Sequence, residues 1–457
     1  MSELDPGGEL RKLAGDCVHC GFCLPACPTY QLWGEEMDSP RGRIHLITQI
    51  LDGAEGTPAA ATHLDRCLGC MACVPACPSG VQYDRLIEAA REWAEEPEAG
   101  PEVLPPRSLR DRAIRRAIFE TFPYPRRLRL LMAPLRAAQR TRADRLLGRS
   151  DLIGRIAPEL TAALRIAPSR RAPARRGRAA RSGRQGPARR SRPVPGLPEL
   201  VPARGERRAT VGMLTGCVQG VFFPEVNTAT ARVLAMEGCD VVIPRGQGCC
   251  GALSLHGGRR AEARAFARRT IETFERAGVD AIVVNAAGCG SAMKEYGQLL
   301  AGDPQWADRA AALSEQVRDV SEFLAGLGAA AQRHPLPLAV VYQDACHLGH
   351  AQRITRQPRE LLTGIPELQL AEIGDGGTCC GSAGIYNLVQ PEAAAQLGER
   401  KARAVHATGA ELLVSANPGC AMQIAAALGD QGTPMPVAHI IQVLDASLRG
   451  LPVTTLL

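Results

Sequence analysis

Eight of the seventeen cysteines lie within the first 77 residues, in two copies of one pattern. The copies are Cys17-x-x-Cys20-x-x-Cys23-x-x-x-Cys27-Pro28 and Cys67-x-x-Cys70-x-x-Cys73-x-x-x-Cys77-Pro78. Three thiolates spaced this way converge on one face of a cubane 4Fe–4S cluster without straining the backbone. The fourth, before proline, turns away to a neighbouring cluster. The spacing predicts two 4Fe–4S clusters with crossed ligands and one-electron transfer as the chemistry. One cluster takes Cys17, Cys20, Cys23 and Cys77; the other takes Cys67, Cys70, Cys73 and Cys27. Zinc sites use two Cys-x-x-Cys pairs or mix in histidine, so they fit this pattern poorly. A disulfide framework would need an oxidising compartment. His19 reads as a local hydrogen-bonding residue, because the thiols already fill both sites.

A second set of cysteines repeats in the C-terminal half. Cys217 recurs as Cys346 after 129 residues, Cys249-Cys250-Gly251 as Cys379-Cys380-Gly381 after 130, and Cys289 as Cys420 after 131. Three signatures in register twice mark an internal duplication. Glycine after each cysteine pair permits a tight turn that aims both sulfurs at one object. Cys217, Cys249, Cys250 and Cys289 then form one thiolate cage, and Cys346, Cys379, Cys380 and Cys420 a second. Buried free thiols are the alternative for any one of them, and that is the reading for Cys239, which lies outside the repeat.

Each copy must place its cysteines with alternating strands and helices. Val211 to Leu214, Val241 to Ile243, Ala281 to Asn285, Leu338 to Tyr342 and Glu411 to Ala416 read as strands. Thr228 to Glu237 and Arg260 to Ala277 read as helices. Cysteines just past strand ends meet at the carboxyl edge of a parallel sheet. In the N-terminal half, 39 residues separate Cys27 from Cys67. Ser39-Pro40 opens a helix there with an Ile44, Leu46, Ile47, Ile50, Leu51 stripe, and Tyr83 to Trp93 forms another. Clusters between helices are expected, since compact strand-built ferredoxins have shorter gaps. From Ser108 to Leu147 the pattern is basic and helical: Ala113, Ile114, Ala117 and Ile118 face one way, and Arg110, Arg112, Arg115 and Arg116 do not. A solvated helix pair packing on its own domain is the favoured reading, with a partner or membrane face as the alternative.

The predicted organisation is a helical two-cluster domain over 1–100, a basic helical extension over 101–164, a flexible linker over 165–208, and two α/β units over 209–330 and 331–457. The linker carries Arg170, Arg171, Arg175, Arg176, Arg178, Arg181, Arg184, Arg189, Arg190 and Arg192 among Ala, Pro, Gly and Ser, and cannot bury enough apolar surface to order itself. It contributes much of the net charge of +7. With 4% aromatic residues and no reading motif, nucleic acid is not an expected partner. No apolar run is long enough to span a membrane, and Met-Ser-Glu-Leu-Asp-Pro is not a signal peptide. A reducing cytoplasm is expected. Gly246-Gln-Gly248-Cys-Cys-Gly251 matches a dinucleotide fingerprint only in letters, since its variable positions are the cysteine pair. No P-loop, Ser-His-Asp set or flavin site is evident.

The whole pattern resembles a family with two 4Fe–4S motifs and two cysteine-rich "CCG" domains. It includes heterodisulfide reductase B/C-type subunits and the iron–sulfur subunits of anaerobic glycerol-3-phosphate dehydrogenase, lactate utilisation and glycolate oxidase (glycolate dehydrogenase). The last is the nearest in resemblance. Its carriers are Cys17-Val-His-Cys-Gly-Phe-Cys, Cys27-Pro-Thr-Tyr-Gln-Leu, Ser39-Pro-Arg-Gly-Arg-Ile, His63-Leu-Asp-Arg-Cys67, Cys77-Pro-Ser-Gly-Val, Asn227-Thr-Ala-Thr-Ala-Arg-Val-Leu, Gly248-Cys-Cys-Gly-Ala, Gly288-Cys-Gly, Lys294-Glu-Tyr-Gly-Gln and Cys379-Cys-Gly-Ser-Ala-Gly. The resemblance implies an α+β multidomain fold, helical ferredoxin-type domain first and duplicated CCG α/β domains second.

It further implies two 4Fe–4S clusters, one or two more iron–sulfur clusters in the CCG domains, and no catalytic residue on this chain. A separate FAD-binding glycolate dehydrogenase subunit oxidises glycolate to glyoxylate. This chain passes the electrons toward a quinone or other acceptor, in the cytoplasm or peripheral on the inner face of the plasma membrane. Lactate or glycerol 3-phosphate as donor, or a disulfide as acceptor, are the alternatives. Both units lack the final cysteine of the heterodisulfide reductase ending: Gly290, Ser291 and Ala292 follow Cys289, and Ala421, Met422 and Gln423 follow Cys420. That argues against a non-cubane cluster and leaves four thiols that can hold an ordinary one.

Overall fold

The computed structural model describes Asp5 and residues 8–95, 103–141, 155–168, 196–374 and 377–457. Residues 169–195, with the ten linker arginines named above, lie outside these residues. The N-terminal part is helical, as the apolar stripes require. Ser39 caps the helix Pro40–Leu51 by accepting from the Gly42 N–H, with proline at the first turn where a missing N–H costs nothing. Its Ile44, Ile47, Ile50 and Leu51 pack with Leu86, Ile87 and Ala90 of the helix Tyr83–Glu95 into one small core, with Cys67 and Cys73 at its edge. Among the described residues no helix is long and apolar enough to cross a membrane.

The C-terminal half contains two sheets. The first has the order β1-β3-β2-β4-β5, with β1 (Leu200–Val201), β2 (Ala209–Leu214), β3 (Cys239–Val242), β4 (Ala281–Val284) and β5 (Val317–Asp319). The second has the order β7-β6-β8-β9, with β6 (Leu338–Gln343), β7 (Leu368–Ala371), β8 (Leu412–Ser415) and β9 (Val437–His439). All pairs are parallel except β1 with β3. Removing β1 leaves the same strand order in both units, so the duplication read from the cysteines extends to the topology. β1 lies inside the stretch read as linker, which shows that the first unit begins before residue 209.

The two units share one core. The helix Pro224–Met236 of the first packs on Ile440–Leu448 of the second, while Val320–Leu327 of the first packs on Arg356–Thr363 of the second. These two contacts exchange equivalent helices, so the units face each other about a pseudo-two-fold axis. The basic helices Leu109–Thr121, Pro125–Thr141 and Pro158–Ile166 lie across this half and not on the cluster domain alone. Phe119 meets Leu253, Ile385 and Leu388, and Leu128 and Met132 meet Val221 and Phe222. Arg115, expected on the solvated face, is instead buried among Asp65, Glu95 and Asp111.

Candidate metal centres

Each N-terminal cysteine motif wraps a left-handed turn. Positive φ occurs two and four residues after the first cysteine of both copies: at His19 and Gly21 in the first, at Gly69 and Met71 in the second. His19 therefore serves mainly through its backbone, and its carbonyl accepts from the Arg41 guanidinium at 3.0 Å. These turns fold the loops so that Cys17, Cys20 and Cys23 line one cavity together with Cys77 from the other motif. Cys67, Cys70 and Cys73 line a second with Cys27 from the first motif. Each cavity thus groups the first three cysteines of one motif with the fourth of the other. Cys73 borders both cavities, so the two sites adjoin.

The two sites differ in exposure. Cys20 is exposed and Cys17, Cys23 and Cys77 are half-buried, with Val18 and Phe22 standing 69% and 66% exposed beside them. Cys27, Cys67, Cys70 and Cys73 are all buried. A buried set of thiolates needs compensating charge. Arg43 supplies it. The side chain is 1% exposed, with Cys67, Tyr83, Cys27 and Asp38 around it. Burial works against its charge, but those neighbours outweigh burial and raise its pKa. Burial also works against the Cys67 thiolate, yet Arg43, Arg91 and the Tyr83 hydroxyl hold its pKa below the usual thiol value.

Asp38, fully buried, accepts from Arg43 at 3.4 Å, His63 at 3.0 Å and Arg66 at 2.9 Å. The Thr29 hydroxyl donates to the Asp38 carbonyl at 2.7 Å and stands 3.2 Å from the Cys27 sulfur. This network explains why Ser39-Pro-Arg-Gly-Arg and His63-Leu-Asp-Arg stand out around the cysteines. The sequence reading did not single out Arg43, Asp38 or Tyr83. The signal was a doubled Arg in a segment that must pack against thiolates. Four soft thiolates per cavity, with cations beside them, fit a 4Fe–4S cluster at each.

In both C-terminal units the cysteines follow the carboxyl ends of parallel strands: Cys217 after β2, the pair Cys249-Cys250 after β3, and Cys289 in the helix after β4. Cys346, Cys379-Cys380 and Cys420 follow β6, β7 and β8 in the same way. The glycine after each pair is left-handed, Gly251 at φ +88° and Gly381 at φ +86°. A Cβ on Gly381 would come within 2.7 Å of the Ala394 carbonyl oxygen, and one on Gly251 within 3.1 Å of that of Ala263. These turns bring Cys217 Sγ to 3.6 Å from Cys249 Sγ, and Cys346 Sγ to 3.5 Å from Cys379 Sγ. Cys250 shares thiol hydrogen bonds with Cys249 and Cys289, and Cys380 with Cys379 and Cys420. Those bonds hold Cys250 and Cys380 well below the usual thiol pKa. Cys249, Cys289, Cys379 and Cys420 are raised by their sulfur hydrogen bonds and by burial. Each set of four is therefore linked through its central sulfur, Cys250 in the first and Cys380 in the second. Cys239 sits on β3, fully buried in the shared core and outside both sets.

The surroundings of the two sets differ. Cys217 and Cys249 pack with Phe266 and Tyr124 beneath the basic helices. Cys346 and Cys379 pack with Leu68, Cys70 and Tyr386. Burial raises the Cys70 pKa, and Cys346 is the next largest contributor, so the buried N-terminal site abuts the second C-terminal set.

Family comparisons follow the same division. A 4Fe–4S dicluster domain matches residues 14–81, and a cysteine-rich domain matches twice, at 211–294 and 340–425. Residues 110–167 match the linker region of the glycolate oxidase iron–sulfur subunit. The probable glycolate oxidase iron–sulfur subunit of Bacillus subtilis is 36% identical over 93% of this chain and 90% of its own length. The glycolate oxidase iron–sulfur subunit of Escherichia coli is 36% identical over 96% of both chains. Lactate utilization protein A of Shouchella clausii is 32% identical over 52% of this chain and 98% of its own. With its dicluster domain, its duplicated cysteine-rich units and relatives matched almost end to end, the chain belongs to the family of glycolate oxidase iron–sulfur subunits.

Proposed function

We propose that this chain relays single electrons from a separate FAD-containing subunit that oxidises glycolate to glyoxylate, and delivers them to an acceptor at its C-terminal half. The observation that carries this reading is the pair of adjoining four-cysteine cavities, one open to the surface and one buried against Cys346. When bound, 4Fe–4S clusters supply one-electron carriers that split the pair released by a reduced flavin. The chain's own residues give the route a direction. Val18 and Phe22 offer the flavoprotein an apolar rim around the exposed Cys20. Arg43 and Arg91 favour negative charge at the buried site, which draws electrons inward. Tyr83 and the Asp38 network hold Cys67 and Cys27 in place.

The test is the Cys20→Ser variant in the assembled complex. Loss of one cluster and of glycolate-dependent dye reduction, with glycolate still bound by the flavoprotein, is expected. Undiminished acceptor-linked activity overturns the relay. Lactate as donor is the second reading, favoured by the likeness to lactate utilization protein A across half of the chain. The copurified flavoprotein's preference for glycolate or lactate decides between them.

A further inference from the structure

A cleft lies where the dicluster domain, both cysteine-rich units and the basic helices meet. Leu68, which sits between Cys67 and Cys70, forms part of the wall; His347 follows Cys346, and Leu253 and Ala383 lie three residues beyond Cys250 and Cys380. Three thiolate sites thus converge on one space.

Three polar atoms there are buried without a hydrogen-bond partner: His256 Nε2, His347 Nε2 and the Tyr386 hydroxyl, whose residue is 4% exposed. Buried polar atoms are normally satisfied, so three together at one cleft point to a ligand that satisfies them. The two imidazole rings face each other across the two units, with centroids 4.8 Å apart. His256 Nδ1 lies 3.1 Å from the Glu88 carboxylate, which leaves Nε2 directed elsewhere. Arg91, Arg107 and Arg115 also line the cleft. Arg91 donates to the His256 carbonyl at 2.8 Å and to the Cys67 carbonyl, tying the site to the buried cluster loop.

Asp65, paired with Arg107 and Arg115, also lines the cleft, and the remaining wall is apolar. Leu253, Ile385 and Val389 continue into the layer formed by Ile118, Phe119, Ala162 and Ile166 of the basic helices. Those helices expose Leu109, Leu130 and Leu131 among arginines. The apolar wall of the cleft is thus covered by basic helices that carry exposed leucines on their outer face.

We propose that this cleft binds a quinone-class acceptor, a planar ring with two carbonyl oxygens and an apolar tail, and is where electrons leave the chain. The inference rests on the relay reading above. The ring lies between the apolar walls, and its oxygens meet the two imidazoles and the phenol. It accepts two electrons, delivered singly from the reduced iron–sulfur sites, which are oxidised. Two protons arrive with them, one from His256 backed by Glu88 and one from solvent. Both C=O groups become C–OH, two O–H bonds form, and the hydroquinone departs. The arginines stabilise the negative charge that develops on the oxygens before protonation.

The experiment uses the full chain, purified anaerobically and oxidised, and titrates it calorimetrically with 2,3-dimethyl-1,4-naphthoquinone, which cannot alkylate thiols. Saturable one-to-one binding is expected. Leu253→Trp fills the cleft and should weaken binding more than about tenfold, as loss of a well-packed pocket does. Tyr386→Phe removes one hydroxyl and should weaken it by about fivefold, the usual worth of one neutral hydrogen bond. Absence of saturable binding to the wild type, or unchanged binding in Tyr386→Phe, overturns the proposal. Iron and sulfide are counted on the same samples. Full iron without quinone binding sinks the cleft and leaves the relay; absent iron sinks the relay.

Discussion

The two cysteine-rich units repeat one topology, one strand order and one Cys-Cys-Gly turn, yet they cover their sulfurs differently. The first set lies under Tyr124 and Phe266, beneath the basic helices. The second lies against Leu68 and Cys70 of the dicluster domain. Duplication thus made two equivalent cages, and the packing of the rest of the chain made them unequal. The cysteine set packed against the buried N-terminal cysteines is that of the second unit, which is the reason to expect that unit on the proposed electron route. Because electron transfer falls steeply with distance, such a contact outweighs any similarity of the cages themselves.

The sharpest way to break this contrast is to remove one equivalent thiol from each cage. Cys379→Ser should slow glycolate-driven quinone reduction at least about tenfold more than Cys249→Ser, within the 10–100-fold range typical of disturbed metal centres. Steady-state rates on the two complexes check this, and equal losses would show that both cages lie on the route or neither does.

A second contrast lies in the caps after the last strand of each unit. Asp319 caps the helix Val320–Leu327 and His439 caps Ile440–Leu448, each in a capping box. Burial pushes the Asp319 carboxyl up to about 6 and the His439 imidazole down to about 4. His439 must stay neutral, because its Nδ1 accepts from the Ile441 N–H while its Nε2 contacts the Asn285 carbonyl at 2.9 Å. Its contribution is complete above the unfolded value of about 6.5 and is lost as pH falls toward 4. Asp319 has the opposite sign: its contribution is complete below about 3.9 and is lost as pH rises through 6. Each amounts to about 3 kcal/mol over its window. Amide hydrogen exchange between pH 6.5 and 4 should show Ile440–Leu448 losing protection and Val320–Leu327 gaining it, relative to His439→Asn and Asp319→Asn variants. Parallel changes in both helices would contradict this.

The smallest effect concerns the two turns. Gly381→Ala should cost about 2–3 kcal/mol and Gly251→Ala about 1–2, since both force alanine into a left-handed turn but only the former drives Cβ to 2.7 Å from a carbonyl oxygen. Denaturant midpoints of the two variants check the order, and a larger loss at Gly251 would reverse it.

Much of this was legible in the sequence because its signals are local. Cysteine spacing, proline after the fourth cysteine and glycine after each pair dictate nearby backbone, and the strands and helices placed around them stand within a few residues of where they were expected. What was not legible depends on distant packing. Arg115 reads as a solvated arginine until Asp65, fifty residues earlier by sequence, is brought beside it. Arg43 reads as one more basic helix residue until Cys27 and Cys67 enclose it. The cleft joins Leu68, His256, His347 and Tyr386, and no periodicity links residues so far apart.

The central claim is crossed ligation in the dicluster domain, and EPR of reduced Cys77→Ser beside Cys20→Ser and Cys70→Ser tests it most directly. The structure predicts that Cys77→Ser loses the same cluster signal as Cys20→Ser, with iron falling by about four atoms from at least about eight. Loss of the signal that Cys70→Ser loses, or zinc in place of iron and acid-labile sulfide in the wild type, would contradict it.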